Sequence, residues 1–143
     1  MKITVEAVVP VGVKTVWDYH TDPEHITKWN FASEDWCCPR AGNDLRVGGK
    51  YSARMEAKDG SAGFDFEATY DEIVNLETFA YTMTDGRRVI TAFEQVDGGT
   101  KVKITFDAEK ERFEEMQRNG WQAILNNFKK YVVSNIQNRG SES

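Results

Sequence analysis

The sequence predicts an α+β domain in which a curved antiparallel sheet of about six strands holds a long C-terminal helix across its concave face. Three observations carry that reading. Between Leu45 and Phe106 apolar residues alternate with polar ones in segments separated by three Asp-Gly pairs, Asp59-Gly60, Asp85-Gly86 and Asp97-Gly98. From Glu111 to Gln137 the period changes to three and four residues. Ahead of both stand one alternating strand and two short helical segments.

The first strand is Lys2 to Val9, with Ile3, Val5, Ala7 and Val9 on one side. Pro10 and Gly12 stop it, and Val13, Val16, Trp17 and His20 then recur at helical spacing. Thr21-Asp22-Pro23-Glu24 restarts a second helix: Asp22 caps, Pro23 suits the first helical position, and Glu24 faces the positive end of the helix dipole. Ile26 and Trp29 are its apolar contacts. Asn30 to Asn43 has no period and reads as an irregular loop over a core edge or a lid.

The strands that follow form a meander. Tyr51, Ala53, Met55 and Ala57 alternate before the first Asp-Gly turn; Phe64, Phe66, Ala68 and Tyr70 follow Gly63; Phe79, Tyr81 and Met83 precede the second turn. Val89 to Val96 and then Val102, Ile104 and Phe106 complete it. A meander of this length must curl, because strands twist. The helix of Glu111–Gln137 gathers Phe113, Met116, Trp121, Ile124, Leu125, Phe128, Tyr131, Val132 and Ile136. Gly120 within it lowers helix stability and is expected to permit a close approach. Residues 1–137 read as a single domain and 138–143 as a frayed tail.

Composition excludes several classes. With 143 residues, 40% hydrophobic and 29% charged, the chain is an ordinary globular mixture with one substantial core. A net charge of −5 and scattered basic residues argue against nucleic acid. No apolar stretch reaches membrane-spanning length, so no membrane insertion is expected. The N-terminus runs straight into alternation, which predicts no signal peptide and a cytoplasmic setting. Cys37 and Cys38 are adjacent, could close only a strained ring, and read as reduced thiols.

In order and spacing, Val16-Trp17, Thr21-Asp22-Pro23-Glu24-His25-Ile26 leading to Trp29, Arg46-Val47-Gly48-Gly49, the Asp-Gly turns with Gly63, and Gly120-Trp121 followed by Leu125 span Val5 to Tyr131. This pattern resembles the START-like superfamily with the helix-grip fold, in the branch of homologues of the activator of the heat-shock protein 90 ATPase. The resemblance implies a domain that holds a hydrophobic or amphipathic small molecule between helix and sheet, with no metal and no organic cofactor. Relatives in the superfamily include lipid carriers, polyketide cyclases, hydrolases and the co-chaperone itself. A chaperone is therefore an implied partner beside the small molecule. The chain is expected to be a monomer or a homodimer.

No catalytic signature stands out. His20 and His25 are the two histidines; His20 is expected to end a helix where its charge suits the dipole, and His25 to lie on the surface. Their spacing does not match a zinc pattern. Glu34 and Asp35 beside Trp36 read as a solvated loop edge, and Cys37-Cys38 lack a neighbouring base. The aromatic set is the better candidate for a binding site. Trp29, Phe31 and Trp36 flank the loop; Tyr51, Met55, Phe64, Phe66, Tyr70, Phe79 and Tyr81 share a sheet face; Trp121, Leu125 and Phe128 look down from the helix. The hydroxyls of Tyr51, Tyr70 and Tyr81, or an inward Arg54, are the polar groups available. The same rings could equally pack a solid core; the family resemblance favours a pocket.

Overall fold

A computed structural model describes residues 2–110 and 113–142. Strand β1 is Lys2–Val9; helices α1, Val13–Thr21, and α2, Pro23–Trp29, follow. The strands then run β2 Trp36–Asn43, β3 Lys50–Ala57, β4 Gly63–Val74, β5 Thr78–Met83, β6 Arg88–Val96 and β7 Gly99–Asp107, and α3 spans Glu114–Glu142. The expected helix start at Glu111 lies outside the described residues.

All seven strands form one antiparallel sheet in the order β1-β7-β6-β5-β4-β3-β2. Strands β2 to β7 are sequential neighbours, while β1 returns to pair with β7, placing Ile3 opposite Phe106 and Val5 opposite Ile104. The Asp-Gly turns work as their residue types require. Gly60 and Gly86 adopt φ of 79° and 94°, and the Asp59 and Asp85 carboxylates accept from the backbone N–H two residues on, at 2.8 and 3.1 Å. A register shift between Tyr70 and Glu72 bends the long β4, which helps the sheet curl.

Seven strands replace the six expected because the stretch read as an irregular loop contains β2. That strand carries no alternation: it holds Pro39 and a register shift between Cys37 and Arg40. It pairs with β3 alone, so it is an edge strand, where a missing N–H is tolerated. Its end is tied inward through Asn43. The Tyr70 hydroxyl donates to Asn43 Oδ1 at 2.7 Å, and Asn43 Nδ2 donates to the Thr21 carbonyl at 2.7 Å, joining β4, β2 and α1.

The inward faces of the strands and the buried face of α3 enclose the core. Leu125, Phe128 and Val132 are fully covered, and Trp121 stacks on Phe106 with centroids 4.2 Å apart. Phe113, just ahead of α3, and Met116, in its first turn, fit the helical apolar pattern but are instead 79% and 65% exposed.

At the other sheet edge, α3 covers β1. Arg118 Nη1 and Gln122 Nε2 donate to the Thr4 and Glu6 carbonyls at 3.2 and 3.1 Å. The match is geometric: four helical residues rise ~6 Å and two strand residues ~6.8 Å, so i,i+4 donors meet i,i+2 acceptors. Open edge carbonyls are templates for intermolecular pairing. The double substitution Arg118→Ala, Gln122→Ala is expected to leave the fold intact and to produce concentration-dependent association in light scattering. A double variant that stays as disperse as the parent would contradict an edge-guarding role.

Candidate functional site

Between α3 and the concave face lies a cavity of about 630 Å³. Its position follows from strand lengths. Residues Gly63–Glu67 of β4 pair with β3 but extend past the end of β5, whose pairing with β4 begins at Ala68 opposite Met83. The sheet therefore opens there. The overhanging start of β4, the β5–β6 hairpin and the first turns of α3 frame a mouth, marked by Phe64 and Met116, which line the cavity yet are 50% and 65% exposed.

Of the residues expected to line a site, the structure brings Trp29, Trp36, Tyr51, Met55, Phe64, Phe66, Tyr81, Trp121 and Leu125 to the cavity wall. Phe31, Tyr70, Phe79 and Phe128 are not on it. Tyr70, Phe79 and Phe128 lie deeper, at 2%, 2% and 0% exposure, and Phe31 packs against the core from outside. Pocket and packed core are thus both present: the rings near β5 and α1 fill space, and those near the mouth leave it. Arg54 does not turn inward. It lies on the outer face of β3, bound to Glu56 at 3.0 Å and Asp65 at 3.5 Å.

Trp29 is placed by its own polar atoms. Its indole Nε1 donates to the Tyr19 carbonyl at 3.0 Å, and its carbonyl accepts from Asn127 Nδ2 at 2.7 Å, which ties α2 to α1 and α3. Tyr51 and Tyr81 stack with centroids 5.5 Å apart. Asn30 Nδ2 donates to the Tyr51 hydroxyl at 3.3 Å. Burial pushes the phenols of Tyr51, Tyr70 and Tyr81 above their ordinary value, so all three remain neutral hydroxyls at pH 7. At the mouth, Arg87 is held by Asp85 at 2.8 Å and Glu109 at 3.2 Å. Gln117 fastens the β7–α3 connection there: its Oε1 accepts from the Glu109 N–H at 2.7 Å and its Nε2 donates to the Glu109 carbonyl at 3.0 Å.

The residue that pattern reading misplaced is His20. It is not a charged helix terminus but part of the cavity wall, ringed by Trp29, Phe128, Phe93 and Phe79 at centroid distances of 4.9, 5.0, 5.6 and 5.7 Å. The residue is half-buried overall and lines the cavity. Its Nδ1 is buried with no hydrogen-bond partner among the described residues. Burial lowers its pKa from 6.5 to about 4. That shift corresponds to about 3 kcal/mol, against about 0.3–1 kcal/mol for a charge at a helix end, so desolvation outweighs the dipole. The sequence shows only its side: His20 shares the i, i+3, i+4, i+7 stripe with Val13, Val16 and Trp17, which puts it on the apolar face of α1. His25 is not a free surface residue either. It stacks on Tyr19 with centroids 4.0 Å apart, and its Nδ1 lies 2.8 Å from the Tyr131 hydroxyl.

Gly120 permits no close approach, contrary to expectation. A Cβ there would meet nothing within 4 Å, because the residue faces the cavity. Gly120→Ala should therefore stabilise the fold by about 1 kcal/mol through helix propensity alone. Thermal denaturation checks this, and a lowered Tm would mean that the open space is filled in solution.

Other chemistry is thin. Cys38 is buried and its thiol pKa is raised by that burial and by Cys37, the opposite of nucleophile activation. Among the described residues no group of three or more His, Cys, Asp or Glu could hold a metal, and no helix is long and apolar enough to cross a membrane.

Comparison with known proteins agrees with this geometry. The family model described as activator of Hsp90 ATPase homolog 1-like protein matches residues 10–133. The solution structure of an AHSA1-like protein from Aeromonas hydrophila is 44% identical, covering 94% of this chain and 93% of its own, with a TM-score of 0.89. A solution structure from Cytophaga hutchinsonii is 43% identical, covering 95% and 94%, with a TM-score of 0.81. A crystal structure from Nitrosomonas europaea shares the fold at 18% identity, covering 94% and 96%, with a TM-score of 0.82. No curated protein matches. A gripped helix, a mouth at the overhang of β4 and a family match over most of the length together place the chain: it belongs to the activator of Hsp90 ATPase homolog 1-like family, within the START-like superfamily.

Proposed function

We propose that the protein binds a small hydrophobic or aromatic molecule between α3 and the sheet and does not transform it. The observation that carries this reading is the cavity of about 630 Å³, whose walls include Trp29, Tyr51, Phe66, Tyr81 and Trp121 and which opens at Phe64 and Met116. Apolar concavities of this size with a few placed polar groups are the usual form of a small-molecule site. Phenols held neutral and a Cys38 thiol whose pKa is raised by burial are poor nucleophiles toward a bound molecule.

Native mass spectrometry and tryptophan fluorescence titration with a fatty acid, a sterol and an aromatic polyketide test the reading. Saturable quenching by at least one of them, lost when Gly120→Leu fills the cavity, is the expected result. No retained mass and no quenching by any of the three would refute it.

A second reading draws on His20. Its imidazole is neutral at pH 7 and lines the cavity, but a pKa lowered to about 4 makes it a weak base, so an enzyme of the cyclase or hydrolase type would use it to orient an aromatic substrate by hydrogen bond rather than to take a proton. Conversion of a bound aromatic polyketide, abolished by His20→Gln, would favour that reading over simple binding. Co-chaperone action, implied by the family's description, predicts that the heat-shock protein 90 chaperone is retained in a pull-down with the full chain.

A further inference from the structure

We propose that His20 is the hydrogen-bond donor that orients the ligand, and that the ligand it selects is a neutral molecule with a planar apolar body and a carbonyl or ether oxygen at its leading end. This rests on the cavity being a binding site, and it specifies what that site accepts.

The inference begins with the two ring nitrogens. Nδ1 is buried with no partner among the described residues, while the ring is part of the cavity wall, which leaves Nε2 as the nitrogen on the cavity side. A neutral imidazole carries one proton. On Nδ1 it would be an orphaned buried N–H, which is rarer in folded proteins than an acceptor lacking its donor. The proton therefore belongs on Nε2, where it points into the cavity as a donor. The sheet's own hydroxyls on the wall are those of Thr91, Tyr51 and Tyr81, and none of these residues is among the four rings packed around His20.

The surroundings narrow the ligand class from both sides. An anionic head near His20 would find four aromatic rings and no cation. Arg87, the one cationic side chain on the wall among the described residues, lies at the mouth and is already held by Asp85 and Glu109. A pure hydrocarbon would cover the Nε2–H and leave it unsatisfied, a penalty that translates into roughly tenfold or more in affinity. A neutral oxygen acceptor avoids both costs, and the rings around His20 suit a flat body behind it.

Three matched probes separate the possibilities: 2-acetylnaphthalene, 2-isopropenylnaphthalene and 2-naphthoate, titrated at pH 7.5 into the full chain by calorimetry and tryptophan fluorescence. The ketone should bind about tenfold more tightly than its isosteric hydrocarbon, and the carboxylate more weakly than the ketone. In His20→Phe the ketone and the hydrocarbon should bind alike. If the hydrocarbon binds as tightly as the ketone in the parent, or if His20→Phe keeps the preference, the role of His20 is overturned while the cavity reading stands. If none of the three binds, both fall. Nitrogen-15 NMR of the unaltered protein needs no variant. It should show the Nε2–H tautomer, with the His20 signal shifting on addition of the ketone; an Nδ1–H tautomer, or no shift at saturating ketone, would overturn the proposal.

Discussion

Phe128→Ala is expected to destabilise the protein by about 4 kcal/mol, lowering Tm by roughly 10–20 °C in a thermal melt at neutral pH. Phe128 is fully buried, and its ring meets Trp29 edge-on at 4.9 Å and His20 at 5.0 Å. It is where α3 contacts both α1 and α2, so truncation removes apolar burial and leaves a void that rings on three elements cannot readily collapse into. A loss of this size is a large part of the 5–15 kcal/mol by which domains are stable. Phe64→Ala serves as the control. That ring is 50% exposed at the mouth, and its truncation should move Tm by only a few degrees. Comparable effects for the two variants would mean that helix and sheet are not packed as described.

Stability should fall by about 3 kcal/mol as pH drops from 6.5 to 4, and His20→Phe should largely abolish that loss. The sign follows from proton counting. His20 titrates near its ordinary 6.5 when unfolded and at about 4 when folded. Within that window the unfolded chain binds a proton that the folded chain does not, so stability rises with pH and is lost as pH falls. Below the folded value both states are protonated and the contribution levels off. The groups packed against the ring from α2, β5, β6 and α3 are Trp29, Phe79, Phe93 and Phe128, none of which titrates. The ionisable side chains elsewhere on the wall are Asp65, Glu67, Asp85, Arg87 and Glu109, with Tyr51 and Tyr81. Asp107, whose carboxyl the Lys2 hydrogen bond holds below its usual 3.8, makes its loss at lower pH and stays separable. Urea denaturation at half-unit pH steps, for parent and variant, checks the difference. Parallel curves would show that His20 is not buried as a neutral ring.

Much of this architecture is legible in residue order. Alternation along β1, β3 and β4 names their inward faces, because side chains in a strand point to opposite sides in turn. The Asp-Gly pairs name three hairpins, since the positive φ at the second position favours glycine. Strand β2 is not legible: an edge strand with Pro39 and a register break has neither the alternation of a half-buried strand nor its full set of donors, and only pairing with β3 makes it one. Gly120 illustrates a different gap. A helical glycine signals that something is unusual, but crowding and emptiness leave the same letter.

By itself the sequence determined which faces are apolar, where the chain turns, that a long helix must cover a curled sheet and to which family the pattern corresponds. The tertiary structure decided which rings close the core and which leave a cavity. It also turned Arg54 outward and made His20 a neutral cavity wall rather than a charged helix end. The physical reason is that periodicity assigns a side chain to a face, whereas packing, desolvation and hydrogen bonding depend on which elements meet there. His20 met four rings contributed by α2, β5, β6 and α3, and no local pattern around residue 20 records those neighbours.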